Sequence, residues 1–232
     1  MPRLSFVIPV LNEASGLGAL LAALERDFPA AERVVVDGGS NDDSAAIALR
    51  GAHAVLLGER GRANQMNLGA AVARGDTLCF LHADTTPEFD EAALHAALDG
   101  EFAWGFCRVA LRSRLPALRM VSAFMNRRAT LTGIATGDQM LMVDRELFAE
   151  QGGFAAVPLM EDVEICKRLR RVVRPRALPL VVCSSGRRWE DNGVIATILL
   201  MWALRLAFWF GVSPERLWRL YYGRRSDLPA EG

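Results

Sequence analysis

The feature that most restricts what this chain can become is a set of short apolar runs that stop abruptly at polar residues. Leu4–Val10 runs into Asn12-Glu13, Arg33–Val36 into Asp37-Gly38-Gly39-Ser40-Asn41, and Thr77–Leu81 into His82-Ala83-Asp84. Runs of this length, ended by turn chemistry, read as buried strands. Ala54–Leu57 reads as a further strand. Helical signals lie between them. Leu17, Leu20, Leu21 and Leu24 fall on one face of a helix with Ser15 as its expected cap, and further helices are predicted near Asp42–Arg50 and over Arg62–Ala73. Strand–helix alternation implies a mostly parallel sheet with helices on both faces. In such sheets ligands bind beyond the carboxyl ends of the strands, where the polar clusters stand.

After Gly100 the pattern changes. Phe102–Leu111 and Thr136–Val143 read as strands separated by a helix over Pro116–Thr130, and Glu161–Arg171 reads as another helix. Ala177–Cys183 is a strand interrupted by Pro179, which predicts an edge position. Val194–Phe210 and Pro214–Tyr222 are helical, with Ser213 as N-cap and Pro214 at the first helical position. The tail after Arg225 is expected to fray.

With 232 residues, 51% of them apolar, the chain can build one sizeable core and an appendage. Four cysteines without CxxC spacing read as buried, reduced thiols of a cytoplasmic protein. Leu4–Leu11, broken by Pro9, reads as a strand and not as a leader. The formal charge is zero, yet Ile165–Arg225 carries a net +10, which implies an anionic partner: a phosphate-rich substrate or a membrane surface. Nucleic acid fits poorly, because the aromatics sit in an apolar helix and are not interleaved with the basic residues.

The segments Ile8-Pro9-Val10-Leu11-Asn12-Glu13, Val36-Asp37-Gly38-Gly39-Ser40-Asn41-Asp42 and Phe80-Leu81-His82-Ala83-Asp84 resemble, in order and spacing, the opening of the family 2 glycosyltransferases. Gly152-Gly153-Phe154 and Glu161-Asp162-Val163-Glu164 resemble that family's acceptor half, so the likeness runs from Leu4 to Trp189. Gly61–Ala70, Gly137-Asp138-Gln139 and Pro158–Asp162 resemble one subgroup, associated with radical-SAM and selenium-domain proteins and linked to arsenosugar biosynthesis. The resemblance implies the glycosyltransferase type-A fold, a Rossmann-like, mixed, mainly parallel sheet flanked by helices. It also implies a nucleotide-diphosphate sugar donor, a divalent cation (Mg²⁺ or Mn²⁺) and a hydroxyl acceptor. Residues 1–190 then form the catalytic domain, and 191–232 a C-terminal helical appendage.

Residue roles follow from that likeness. Pro9, Leu11 and Glu13 form the base and ribose wall, and Asp37 accepts a hydrogen bond from base or ribose. Arg62 neutralises diphosphate charge, with Gln65 and Asn67 as neighbouring donors. Most family members have Arg where this chain has Met66. Asp84 is the metal ligand; the family's usual Asp-x-Asp is His82-Ala83-Asp84 here, and His82 binds ribose or the cation. Asp162, with Glu161, is the catalytic base of an inverting transfer, against the plain reading of helix-start acidity. Ser185-Gly186-Arg187-Arg188-Trp189 partly matches a processive-synthase motif, which assigns Arg188 to diphosphate and Trp189 to a sugar face. Asp42 and Asp43 read as turn and cap residues, and His53 and His95 as incidental.

Val194–Val212 spans 19 residues and contains Arg205 near its middle. A charge there is costly in lipid, so the expected partner is a membrane interface, on the inner face of the cell membrane, or a second subunit, ahead of a core helix and a full span. The expected donor is a UDP-sugar. The rival readings are a sugar-phosphate nucleotidyltransferase, which normally has a Gly-rich basic loop where Asn12-Glu13 stands, and a catalytically silent sugar-nucleotide binder.

Overall fold

The structure, a computed structural model, describes residues 3–222. Its strands are β1 (Leu4–Val10), β2 (Glu32–Asp37), β3 (Ala54–Leu57), β4 (Thr77–Phe80), β5 (Thr85–Pro87), β6 (Trp104–Arg112), β7 (Leu141–Asp144) and β8 (Arg176–Ser185). Its helices are α1 (Ala14–Asp27), α2 (Ser44–Gly51), α3 (Arg62–Val72), α4 (Glu91–Ala97), α5 (Pro116–Thr132), α6 (Arg145–Glu150), α7 (Glu161–Val172), α8 (Arg187–Asn192), α9 (Val194–Trp209) and α10 (Pro214–Tyr222).

The strands form one sheet in the order β3-β2-β1-β4-β7-β6-β8-β5. The first four pair in parallel, β7 is antiparallel to both β4 and β6, β8 is parallel to β6, and β5 is antiparallel to β8. Strand alternation gives the sheet two apolar faces. Leu4, Phe6, Ile8 and Val10 pack with the buried leucines of α1 on one side. Val7, Val34 and Val36 pack with Ala63, Met66 and Ala70 of α3 on the other. Gly69 lets α3 sit directly on the sheet, since a Cβ there would lie 2.5 Å from Val7 Cγ1. A third, smaller core joins Met160 and Val163 to Leu204 of α9 and Leu217 of α10.

Several expectations are corrected. Ser15 is not a cap: α1 starts at Ala14, with Glu13 at the N-cap position. Of Thr136–Val143 only the end is strand, because Gly137–Gln139 winds into a 3₁₀ turn closed by reciprocal Thr136 and Gln139 bonds. β8 is not an edge strand but pairs on both sides. Pro179 is tolerated because the β6–β8 register is irregular there, with Phe106 opposite Ala177 and Arg108 opposite Val181, while β5 reaches only Val182–Ser184. α9 ends at Trp209, short of Val212. All four cysteines are free, but Cys183 is only half-buried. The short elements β5, α4 and α6 carry no periodicity long enough to read. The Arg225 tail, with Arg224 of the basic stretch, lies outside the described residues.

Candidate functional site

Beyond the carboxyl ends of β1, β2 and β4 opens a cleft of about 680 Å³. Pro9, Leu11 and Glu13 line one wall, the first turn of α3 (Arg62–Gln65) another, and His82, Asp84, Pro158–Leu159 and Glu161 close the far side.

The loops on the β1–β2 side are tied to one another. Asn12 takes a left-handed φ of 56°, with its N–H donating to Ser40 Oγ (2.9 Å) and its Oδ1 accepting from Asn41 N–H (2.9 Å). Glu13 N–H donates to Ser44 Oγ and Ala14 N–H to Asp42 Oδ2, so Asp42 serves the turn. Asp37 is buried and accepts from the Ser40 N–H (3.0 Å) and the Ser40 hydroxyl; it is not part of the cleft wall. Gln65 lines the cleft, but its amide donates to the carbonyls of Val10 and Val36, both at 2.8 Å, which clamps β1 to β2. Asn67 points away from the cleft: it donates to Phe154 O and accepts from Phe154 N–H, each at 2.8 Å. Arg168 reinforces that loop by donating to the carbonyls of Gln151 and Gly153 while paired with Glu164.

The far side is assembled from distant segments. His82 and Asp84 leave β4, and Asp138 arrives from the 3₁₀ turn before β7; one ligand atom of each lies within 4.8 Å of the others. His82 Nδ1 is 3.6 Å from Asp138 Oδ1. Gly137 makes this approach possible, because a Cβ there would lie 2.1 Å from the His82 ring. An imidazole nitrogen beside two carboxylates suits a borderline-hard divalent ion such as Mn²⁺, and the carboxylates alone suit Mg²⁺. Gly137 N–H also donates to Asp162 Oδ2 (3.0 Å), and Val163 N–H to Asp162 Oδ1 (2.7 Å). Met160, in the left-handed region with φ 69°, turns the chain into α7 so that Glu161 faces the cleft.

Burial is the main cause of the electrostatics here. It raises the Glu161 carboxyl above its ordinary value, helped by the neighbouring Asp162 charge and opposed by Arg62 and His82. It raises Asp162 as well, against the two backbone N–H donors and the His82 and Arg62 charges. Glu13 is raised by burial and by Asp84, with Arg187 and Arg62 opposing.

Trp189 is half-buried against the larger core and does not line the cleft; the side chain of Arg188 lies outside the described residues. Sequence reasoning missed Asp138 as a candidate ligand and Trp218, which reaches the cleft from α10. Asp138 had a signal in its Gly-Asp-Gln segment, but nothing local paired it with Asp84. Trp218 had none.

Among curated proteins, the PGL/p-HBAD biosynthesis glycosyltransferases of Mycobacterium bovis and Mycobacterium tuberculosis are 40% identical over 114 residues. That match spans 43% of this chain and 43% of each relative's length. Solved structures share the fold. A mannosyltransferase of Pyrobaculum calidifontis in complex with GDP-Man and Mn²⁺ superposes with a TM-score of 0.64 at 21% identity, covering 98% of this chain and 66% of that one. Glucosyl-3-phosphoglycerate synthase of Mycobacterium tuberculosis, in complex with Mn²⁺, UDP and glucosyl-3-phosphoglycerate, does so at 0.56 and 17%, covering 79% and 70%. The architecture is the glycosyltransferase type-A fold. The model of the family described as Glycosyl transferase family 2 matches residues 5–132, more than half of the sequence, and the chain belongs to that family.

Proposed function

We propose that the protein transfers a sugar from a nucleotide-diphosphate donor to a hydroxyl acceptor with inversion, and that the donor is a UDP-sugar. The observation that carries this reading is the convergence of Asp138 on His82 and Asp84, two residues that line the cleft together with Arg62 and Glu161. Support for the ligand class comes from the two solved relatives, whose complexes contain GDP-Man with Mn²⁺ and UDP with Mn²⁺.

In this reading His82, Asp84 and Asp138 hold the divalent cation, which offsets charge on the leaving diphosphate. Arg62 and the first turn of α3 receive the diphosphate, where helix N–H groups and a guanidinium favour an anion. Pro9, Leu11 and Glu13 flank the nucleoside. Gln65 and Asn67 act by fixing the strands and loop around it, and so does Asp37 unless the nucleotide displaces Ser40. Arg188 keeps its diphosphate assignment as part of the proposal, whereas Trp189, packed against the core and off the cleft wall, does not keep the sugar face.

The base comes from the Glu161-Asp162 pair. Asp162 is the first choice: backbone donors fix its carboxylate, and its raised pKa makes it a better proton acceptor. Glu161 is the second reading, favoured by its place in the cleft wall. Residues 1–190 remain the proposed catalytic domain, with 191–232 an appendage that lends it Trp218. We also infer a cytoplasmic setting from the free cysteines. Within the family we place the chain in the radical-SAM-associated subgroup on Gly61–Ala70, Gly137-Asp138-Gln139 and Pro158–Asp162.

The test is thermal denaturation with UDP, GDP or dTDP, each with and without Mn²⁺ or Mg²⁺, followed by donor hydrolysis. UDP with metal should stabilise by about 2.7 kcal/mol at 100 times its dissociation constant, and Asp84→Ala should remove the metal-dependent part. No shift with any nucleotide overturns the donor reading. Binding without hydrolysis or transfer leaves a silent binder, and pyrophosphate release from a nucleoside triphosphate and a sugar phosphate identifies a nucleotidyltransferase.

A further inference from the structure

α9 presents an apolar stripe to solvent that no other element among the described residues covers. Ile195, Leu199, Trp202, Leu206 and Trp209 fall at helical spacings of four, three, four and three residues, and all are exposed, Ile195 to 75% and Trp209 to 71%. The opposite face is satisfied, with Thr197 and Leu204 buried. A second stripe runs along α5 through Met120, Phe124, Arg127 and Leu131, again exposed and again at four, three and four. Phe124 and Trp202 lie with ring centroids 5.9 Å apart, so the two stripes form one continuous surface. An exposed apolar face of this extent marks an interaction site.

Charge identifies the occupant. Neither α5 nor α9 contains Asp or Glu, and no acidic residue occurs anywhere from Phe102 to Gly137. That acid-free stretch contains Arg114, Arg119 and Arg127, all exposed, and none of the three forms an ion pair among the described residues. A two-fold contact between copies sets each patch against itself. Such a contact would bring two sets of arginines together with no acid on either helix to compensate. A bilayer rich in anionic headgroups meets both demands, with acyl chains for the tryptophans and leucines and phosphates for the arginines. Such a surface would lie along a bilayer and not cross it: α9 has 16 residues, about 24 Å of helix against roughly 30 Å of hydrocarbon, and no helix among the described residues is long and apolar enough to span.

We propose that the joint α5–α9 face docks the protein on an anionic lipid bilayer. This surface is independent of the cleft chemistry, since none of its side chains lines the cleft.

Co-sedimentation of the full chain with phosphatidylglycerol-containing vesicles, and with pure phosphatidylcholine vesicles, tests it. Binding should be strong to the former and at least tenfold weaker to the latter, and salt should reduce it through screening. Trp209→Asp with Leu206→Asp should lower binding at least tenfold while leaving the melting transition unchanged. Arg119→Glu with Arg127→Glu should remove the preference for phosphatidylglycerol. Absence of vesicle binding at low salt overturns the proposal. So does a stable dimer by light scattering that the Trp209 and Leu206 variants dissociate, since the face would then belong to a second copy.

Discussion

The two sides of the cleft are built in different ways. On the β1–β2 side, most of the ties join neighbouring loops: Asp37 is held by Ser40, Asn12 by Ser40 and Asn41, and the start of α1 by Asp42. On the far side the ties join the parallel half of the sheet to the half that follows it: His82 after β4 meets Asp138 before β7, and Asn67 of α3 holds the Gly152-Gly153-Phe154 loop, while Gly137 and Val163 hold Asp162. Ties between two neighbouring strand-end loops make the first side a preformed frame. Ties between the halves make the second side depend on how several elements dock, and that dependence concentrates the expected sensitivity there.

The sharpest test of this contrast is Asp162→Asn. Turnover should fall by about 10²–10⁴-fold with UDP affinity little changed. Because the folded-state pKa of Asp162 is raised, its carboxylate form is the disfavoured one in the native protein: any stabilisation from this group is present at low pH and lost as pH rises through the raised value. At pH 7 the variant sheds a disfavoured charge but, with one amide oxygen in place of two carboxylate oxygens, also loses one of the two backbone N–H bonds, so its melting temperature should change little. The wild-type rate should fall as pH drops through that raised value, which lies above the ordinary aspartate value, and the variant should lack this limb. A stability loss matching the rate loss would make Asp162 structural.

Gly137→Ala comes next. A methyl 2.1 Å from the His82 ring forces the two segments apart, and Mn²⁺ affinity should drop by about 10–100-fold, as it does when the support of a metal site is disturbed. Titration calorimetry with Mn²⁺ and UDP measures it, and unchanged affinity would show that the two segments are not coupled there. Asn67→Ala should cost about 1–3 kcal/mol of stability in denaturant melts, because both polar groups of the Phe154 backbone lose their partner.

The smallest effect belongs to the local frame. Ser40→Ala removes hydroxyl bonds to Asp37 and Asn12, and should cost only about 1 kcal/mol. It should leave UDP affinity intact or improve it, since it frees Asp37 Oδ1 while the backbone N–H at position 40 still holds Oδ2. A large loss of affinity would place the Asp37–Ser40 turn in the binding site itself.

The same contrast governs what was legible in the sequence. The first four strands and three helices were readable because each apolar run meets its own periodicity, and Leu17, Leu20, Leu21 and Leu24 are buried as spaced. The positions of Glu13, Arg62, His82, Asp84 and Glu161 on the cleft follow from the strand-end rule and the family likeness. Pro179 misled because a proline says only that a ladder bond is missing; an irregular register inside the sheet answers that as well as an edge does. Gln65 and Asn67 look like surface donors on a helix, and only tertiary packing turns them onto backbone partners. Asp138 and Trp218 lie far along the chain from the groups they join, and no local pattern encodes such a meeting.

The place of β8 bears on how the molecule is made. It lies between β6 and β5 and pairs with both, although Thr85 and its partner Ser184 are 99 positions apart. At typical synthesis rates of about 5–20 residues per second, roughly 5–20 s pass between the emergence of the two. Throughout that interval the whole of β5, and one side of β6 once it has been made, offer unpaired backbone, an open template for a neighbouring nascent chain. A ribosome that stalls between Ser113 and Arg174 therefore releases a more adhesive product than one that stalls after Ser185.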